Sequence, residues 1–257
     1  MGRYLVAGVM SLALLVAGST PATATHSWNG YHWARTANPF SLKLGDNVSG
    51  LWDSMLVTAS SDWSQSSVMD TTVVAGGAKP RNCRPTAGRV EVCNASYGNT
   101  GWLGLAQIWI TGGVHITQGT VKNNDYYFGS SSYAYNNTAE MQHVICQEIG
   151  HTFGLAHQDE SGISLNTCMD YYHNTSDTDT VSTHPNQHDY DELALVYAHL
   201  DSTTTIGAST GVSPAEARGA DENGTPFGAS RARGAWYVQE FGEGNFLITH
   251  VYWAPGL

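Results

Sequence analysis

Three observations predict an α+β fold with a mixed sheet. Residues 47–63 and 138–153 each carry apolar side chains at the three- and four-residue steps of a helix. Several short β-branched or apolar runs, typical of strands, lie between these two segments. Two more strand-like runs, 235–241 and 245–253, stand close together near the C-terminal end.

The first 24 residues have the composition of a secretory leader. Arg3 precedes an apolar run over residues 5–17, and small residues at 22–24 form an ordinary cleavage site. That run is too short to span a bilayer, and no later segment reaches the necessary length. We therefore predict a signal peptide over 1–24 and a secreted, extracellular mature chain. A retained membrane anchor is the disfavoured alternative.

The main domain is predicted to occupy residues 25–201. An extended segment over 31–44 precedes the first helix. The predicted strands cover residues 71–75, 89–93, 102–111 and 126–128. The second helix ends at Gly154, because glycine readily adopts the backbone angles that end helices. Asp189 and Glu192 resemble a capping box, which predicts a last helix running to Leu200.

A linker and a hairpin are predicted beyond this domain. Residues 202–230 are rich in Ser, Thr, Gly and Ala, a composition typical of linkers. Residues 231–257 then contain two β-like runs joined by Gly242-Glu243-Gly244, which predicts a β-hairpin appendage. The hairpin would either extend the sheet of the domain or form a separate binding element.

The charge of the chain restricts its partners. With 22 acidic and 11 basic residues, the formal net charge is −11. Nucleic acids and anionic membranes repel such a surface, so neither is expected as a partner. We expect a monomer acting on a protein or peptide.

Four cysteines in an exported chain predict two disulfides. Cys83 and Cys93 flank a short turn, whereas Cys146 lies on the second helix and Cys168 in the loop after it. Pairing within each of these two sets is the simplest arrangement, but four cysteines allow three connectivities. A cysteine-rich zinc site is disfavoured, because no two cysteines have the close spacing of such sites.

The stretch from Gln147 to His157 has the spacing of a metal-dependent hydrolase. Positions 147 and 151 lie four residues apart, so both face one side of a helix. Glu148 shares that side and can accept a proton from a metal-activated water. Gly154 allows a sharp turn, which brings His157 back towards the same ion.

This eleven-residue stretch resembles the extended zinc motif of the metzincin peptidases, especially their matrixin-like branch. Cys168-Met169-Asp170-Tyr171 is similar to the Met-turn of that clan. The resemblance implies a twisted mixed sheet, a zinc helix, a Met-turn and a C-terminal helix. It also implies Zn²⁺ on His151 and His157, Glu148 as general base, Met169 beneath the metal, and Tyr171 as a group assisting the metal or the oxyanion.

The first ligand position departs from the family, because Gln147 replaces histidine. An amide oxygen is a weaker zinc ligand than imidazole. The third ligand is therefore expected to be Gln147 or one of two loop histidines, His184 and His188, although capping and packing at the start of the last helix is the simpler role for these two histidines. His143 is excluded, since it lies two helical turns before His151. A secreted zinc endopeptidase is the favoured function, and an inactive pseudo-peptidase that binds or inhibits other proteins is the alternative.

Two weaker candidates concern other ions. Residues 123–125, Asn-Asn-Asp, offer oxygen ligands to calcium, although an ordinary turn explains them equally well. His115 could line a substrate groove or a secondary ion site, and a half-buried strand histidine is the simpler interpretation. A hydrolase of non-peptide amides is a third, less favoured function.

Overall fold

A computed structural model describes residues 26–209 and 235–256. The predicted signal peptide and most of the predicted linker lie outside these residues. Within the described ranges, no helix combines the length and the apolar character that crossing a membrane requires.

The protein is a mixed α+β structure built on one eight-stranded sheet. The strands are β1 (His32–Trp33), β2 (Phe40–Asn47), β3 (Met69–Ala75), β4 (Val90–Ala95), β5 (Trp102–Thr111), β6 (His115–Asn124), β7 (Ala235–Gly242) and β8 (Asn245–Trp253). The helices are α1 (Leu51–Trp63), α2 (Asp125–Phe128), α3 (Thr138–His151) and α4 (Gln187–Val196).

The sheet has the order β3-β2-β4-β6-β5-β8-β7, and the short strand β1 pairs with β6. Strands β3, β2, β4 and β6 are parallel neighbours, whereas β5 runs antiparallel to both β6 and β8. The hairpin β7–β8 is therefore a sheet extension added to β5. This result decides between the two roles that the sequence left open for it.

Helices α1 and α3 pack together and bury one large apolar core. The Trp63 indole of α1 donates to the Cys146 carbonyl of α3 at 3.2 Å. Gly150 permits this close approach, because a Cβ there would lie 2.5 Å from the Met169 sulfur and 2.7 Å from the Trp63 ring. This packing fixes the position of α3 and of the Met169 turn relative to α1.

Most predicted elements have the expected type. The helices predicted over 47–63, 138–153 and 189–200 are found as α1, α3 and α4 with shorter bounds. The capping box of α4 is present, but it uses Asn186 and Asp189 rather than Asp189 and Glu192.

Two local predictions are wrong. Residues 126–128 form part of helix α2 instead of a strand, because the Asn124 side chain accepts from the Tyr126 N–H as an N-cap. Strand β6 was not predicted, since polar residues mask its character. Those residues are buried and hydrogen-bonded: Thr120 donates to the Gln107 side chain, and Asn123 donates to the Cys93 carbonyl.

The start of the predicted linker lies against the domain. The Thr205 N–H donates to the Ala34 carbonyl at 2.9 Å, and the Gly207 N–H donates to the Gly88 carbonyl at 2.9 Å. This part of the predicted linker therefore contacts both the segment that follows β1 and the turn that precedes β4.

Both simple disulfide pairings are confirmed. Cys83 is bonded to Cys93, and Cys146 is bonded to Cys168 across a separation of 22 residues. The second bridge joins α3 covalently to the loop that contains Met169. The loop is thereby fixed beneath the helix that carries the hydrolase-like motif.

Candidate metal centre

His151 is the last residue of α3, and its imidazole is fully buried. Its Nδ1 donates to the Leu155 carbonyl at 2.8 Å, so the neutral ring presents the Nε2 lone pair. Burial lowers the pKa of His151 well below its usual value, and the nearby His157 lowers it further. The ring is therefore an uncharged electron-pair donor.

The turn after α3 brings His157 back to the same place. Gly154 has φ of +93°, and any Cβ there would overlap the Tyr31 carbonyl. Only glycine fits both the backbone angle and the close contact. The His157 Nδ1 lies 3.1 Å from the Glu160 carboxylate, which orients the Nε2 atom towards His151.

His250 comes from the C-terminal hairpin, opposite Ala106 in the pairing of β8 with β5. Its ring is completely buried. The Nδ1 atom lies 3.1 and 3.2 Å from the two carboxylate oxygens of Glu148. Burial lowers the pKa of His250 well below its usual value, with further contributions from His151 and His157. The hairpin thus inserts a third imidazole beside the motif.

The three imidazoles form one convergent group. Their ligand atoms lie within 4.8 Å of one another. Ring centroids are separated by 4.1 Å for His151 and His250, 4.8 Å for His157 and His250, and 4.9 Å for His151 and His157. All three Nε2 atoms are buried without a hydrogen-bond partner among the described residues.

This arrangement could hold a metal ion. Buried polar atoms are rarely left without partners, and three facing lone pairs would be satisfied by one cation. Three histidine nitrogens are a common protein ligand set for a zinc ion with one further coordination position. Each ring also has its other nitrogen engaged by a carbonyl or carboxylate, as in many zinc sites where such contacts orient the ligands.

Gln147 has a structural contact that the sequence did not indicate. Its amide nitrogen donates to the Cys168 carbonyl at 2.9 Å and to the Asp170 carbonyl at 2.7 Å. These bonds tie α3 to both sides of Met169, while Oε1 is buried without a hydrogen-bond partner in the described part. Three histidines supply a ligand set without Gln147, and its role as a ligand stays a prediction.

Neither loop histidine belongs to the three-histidine group. His184 is half-exposed, with its Nδ1 2.6 Å from the Asp62 carboxylate. His188 stacks on His26 with ring centroids 4.9 Å apart and, together with Asp189, forms a different cluster. Both histidines contact other groups near the start of α4, which agrees with the simpler role of packing there, and a ligand role for either one stays a prediction.

Glu148 is fully buried beside His250. Gly104 of β5 makes room for it, since a Cβ there would lie 2.9 Å from the Glu148 Cγ. Burial raises the pKa of Glu148 well above its usual value. A raised pKa makes the carboxylate a stronger proton acceptor, which suits a group that accepts a proton and returns it.

Met169 and Tyr171 flank the group from the loop. Met169 is completely buried beneath α3, and its position relative to a metal ion stays a prediction. The Tyr171 ring centroid lies 5.3 Å from that of His157. Its hydroxyl accepts from the Trp253 N–H at 3.2 Å, so the C-terminal strand also fixes this side chain.

Two indole rings cover the histidines. The Trp236 centroid lies 4.4 Å from that of His250 and 5.0 Å from that of His151. Trp28 packs against Trp236 in a tilted arrangement, with ring centroids 4.1 Å apart. Trp236 is half-buried and lies over the three imidazoles.

The residues considered for calcium bond mainly to protein groups. Asp125 accepts from the Trp52 indole at 2.7 Å and from the Asn94 amide at 2.8 Å. The Asn124 oxygen accepts from the backbone N–H groups of Tyr97 and Tyr126. These contacts describe a structural turn around α2.

No protein-family model matches this chain, and neither does any curated protein. The sequence motif and the geometry of the three histidines therefore carry the functional argument.

Proposed function

We propose that this chain is a secreted, zinc-dependent endopeptidase of the metzincin type. His151, His157 and His250 would hold the zinc ion, with the histidine of β8 replacing the one absent at position 147. The convergence of three buried, unpartnered Nε2 atoms carries this proposal.

Several features of the fold support the metzincin assignment. A mixed sheet, a helix ending at His151, a turn containing Met169 and a later helix α4 occur in the order that the resemblance implies. The Cys146–Cys168 bridge and the Gln147 amide both hold the Met169 turn against α3. These contacts keep the metal side of the helix rigid.

The buried side chains suit peptide hydrolysis. A bound zinc ion supplies Lewis acidity, which polarises a carbonyl and makes a water molecule more acidic. Glu148 would accept the proton of that water at its carboxylate and deliver it to the leaving amine. In the structure Glu148 also contacts the His250 Nδ1, so it would orient that ligand as well. Tyr171 would contact the oxyanion side from the His157 edge.

One observation favours an inactive metal-binding protein as the second candidate. A catalytic zinc ion needs an open coordination position, whereas a structural zinc ion is enclosed by the protein. His151, His250 and Glu148 are fully buried, and Trp236 covers the rings. A pseudo-peptidase would keep this closed arrangement and use its outer surface for binding.

Secretion and the absence of nucleic-acid partners belong to the same proposal. Two disulfides suit an oxidising compartment, and the net charge of −11 disfavours anionic polymers. A monomer acting on protein or peptide substrates fits both features.

Zinc content and hydrolysis test the proposal together. The purified mature protein is dialysed against metal-free buffer, its zinc is counted by elemental analysis, and cleavage of an unfolded protein substrate is followed with and without a chelator. We expect His157→Ala to remove one zinc per chain and all chelator-sensitive cleavage. Zinc without any cleavage would favour the pseudo-peptidase, and no zinc lost in His157→Ala would contradict both candidates. His184→Ala is the matched control, because it removes a histidine outside the group.

A further inference from the structure

Two tryptophans differ from the others in their exposure. The chain has eight tryptophans, all of them within the described residues. Six are buried, whereas Trp28 and Trp236 are only half-buried. These two rings lie together, with centroids 4.1 Å apart and planes tilted by 50°. A single exposed apolar side chain needs no explanation, but neighbouring ones mark binding surfaces. We call these two residues the tryptophan pair.

The tryptophan pair lies over the three-histidine centre. The Trp236 ring centroid is 4.4 Å from that of His250, 5.0 Å from that of His151 and 5.7 Å from that of His157. The Trp28 ring makes an edge contact with His151, with centroids 6.1 Å apart. A molecule that reaches the centre from this side therefore meets the two indoles first.

The other sides of the centre are closed by protein. Glu148 and Met169 are fully buried, and Tyr171 is only 4% exposed. His157 is the most exposed of the three histidines at 7%, and Trp236 lies over it. The tryptophan pair thus stands at the most open side of the centre.

Both indoles are fixed by backbone contacts. The Trp28 N–H donates to the Gly154 carbonyl at 2.6 Å. Trp236 lies opposite His250 in the hairpin, so the strand pairing sets its position. The apolar surface continues to Val238, which is on the same face of β7 and is 40% exposed. A surface that is already rigid loses little conformational entropy when a ligand binds to it.

From this placement we infer that the tryptophan pair is a subsite for an aromatic side chain of a peptide. The inference rests on the proposed function, because it takes that peptide to be the substrate of the three-histidine centre. Indole rings pack favourably against other rings in offset or edge-to-face arrangements. A side chain held there would place the adjoining peptide bond beside the histidines. The subsite would therefore select peptides that carry an aromatic residue next to the cleaved bond.

A ratio of two substrates tests the inference. Two otherwise identical peptides hold Phe or Ala at one central position, and kcat/KM is measured for each. We expect kcat/KM to be at least about tenfold higher for the Phe peptide, and this ratio to fall below about threefold in Trp28→Ala. Because a ratio cancels the concentration of active enzyme, a less stable variant still gives a valid result.

Tyr126→Ala is the matched control, because Tyr126 is an aromatic residue of α2 that is 43% exposed and lies outside the tryptophan pair. It should keep the wild-type ratio. Equal kcat/KM for the two peptides in the wild type, or an unchanged ratio in Trp28→Ala, would overturn the subsite.

Binding without cleavage separates this inference from the proposed function. The Glu148→Gln chain is titrated with the same two peptides in a calorimeter, alone and combined with Trp28→Ala. Tighter binding of the Phe peptide that is lost in the double variant supports the subsite. If the wild type cleaves neither peptide while this difference is present, the peptidase proposal fails and the subsite stands. Equal binding of both peptides, when neither is cleaved, would overturn the subsite.

Discussion

The two halves of the three-histidine centre arise in different ways. His151, His157 and Glu148 come from one continuous stretch of the chain, in which helix α3 and the Gly154 turn fix their positions. His250 and Trp236 come from a hairpin that reaches the centre only by pairing with β5. The first half is local and visible as a motif, whereas the second depends on sheet formation. Two imidazoles placed by a local motif can therefore be joined by a third from a distant strand.

Replacing the ligand from the hairpin gives the largest expected effect. In His250→Ala the centre keeps only two imidazoles, so we expect at least a hundredfold loss of zinc affinity at this site and loss of any peptidase activity. A competition titration with a zinc-sensitive chelating dye measures the affinity. Unchanged affinity in a folded variant would show that Gln147 or another group is the third ligand.

Glu148→Gln separates two roles of Glu148, which are proton transfer and orientation of the His250 ring. The amide cannot accept the water proton, so cleavage should fall about 10²- to 10⁴-fold. Zinc affinity should fall only about 10- to 100-fold, because the amide oxygen can still accept from the His250 Nδ1. Steady-state kinetics at saturating zinc measure the first effect. Cleavage at the wild-type rate would remove Glu148 as the general base.

Gln147→Ala tests the part of the centre that comes from α3 and the Gly154 turn, without removing a histidine. The variant leaves the Cys168 and Asp170 carbonyls without the Gln147 donor, which should lower the free energy of unfolding by roughly 1–3 kcal/mol. Urea unfolding with the disulfides intact measures the change. We expect the zinc count to stay the same, and a lost zinc with unchanged stability would instead identify Gln147 as a ligand.

Trp236→Ala should have the smallest effect on affinity, because the indole covers the rings but ligates nothing. Zinc affinity should change less than about tenfold, as expected for groups outside the ligand set. Loss of zinc to a chelator should become faster, since less protein covers the centre. Stopped-flow transfer of zinc to a dye measures the rate, and an unchanged rate would show that Trp236 does not limit access.

The sequence alone predicted the elements whose signals are local. The apolar period of 138–153, the glycine that ends it and the spacing of His151 and His157 predicted α3 and two of three converging imidazoles. The hairpin was also predicted, with the correct strands and turn. Its docking on β5 was not, because pairing between strands far apart in the chain leaves no periodic signal in either one.

His250 could have been noticed as a histidine within an otherwise apolar strand, since Leu247, Ile248, Val251 and Tyr252 surround it in the sequence. The sequence could not reveal which residue it would face, because that follows from the register of β8 on β5. Strand β6 was missed because its buried residues are polar, and the pairing of its His115 with His32 was missed with it.

The distance along the chain between Glu148 and His250, 102 residues, also sets an order of events during biosynthesis. A ribosome makes the α3 motif long before it makes the strand that completes the centre. The growing chain therefore holds only two of the three imidazoles until β8 has emerged and added itself to the sheet edge. The three-histidine group is therefore completed by the strand that is made last among the described elements.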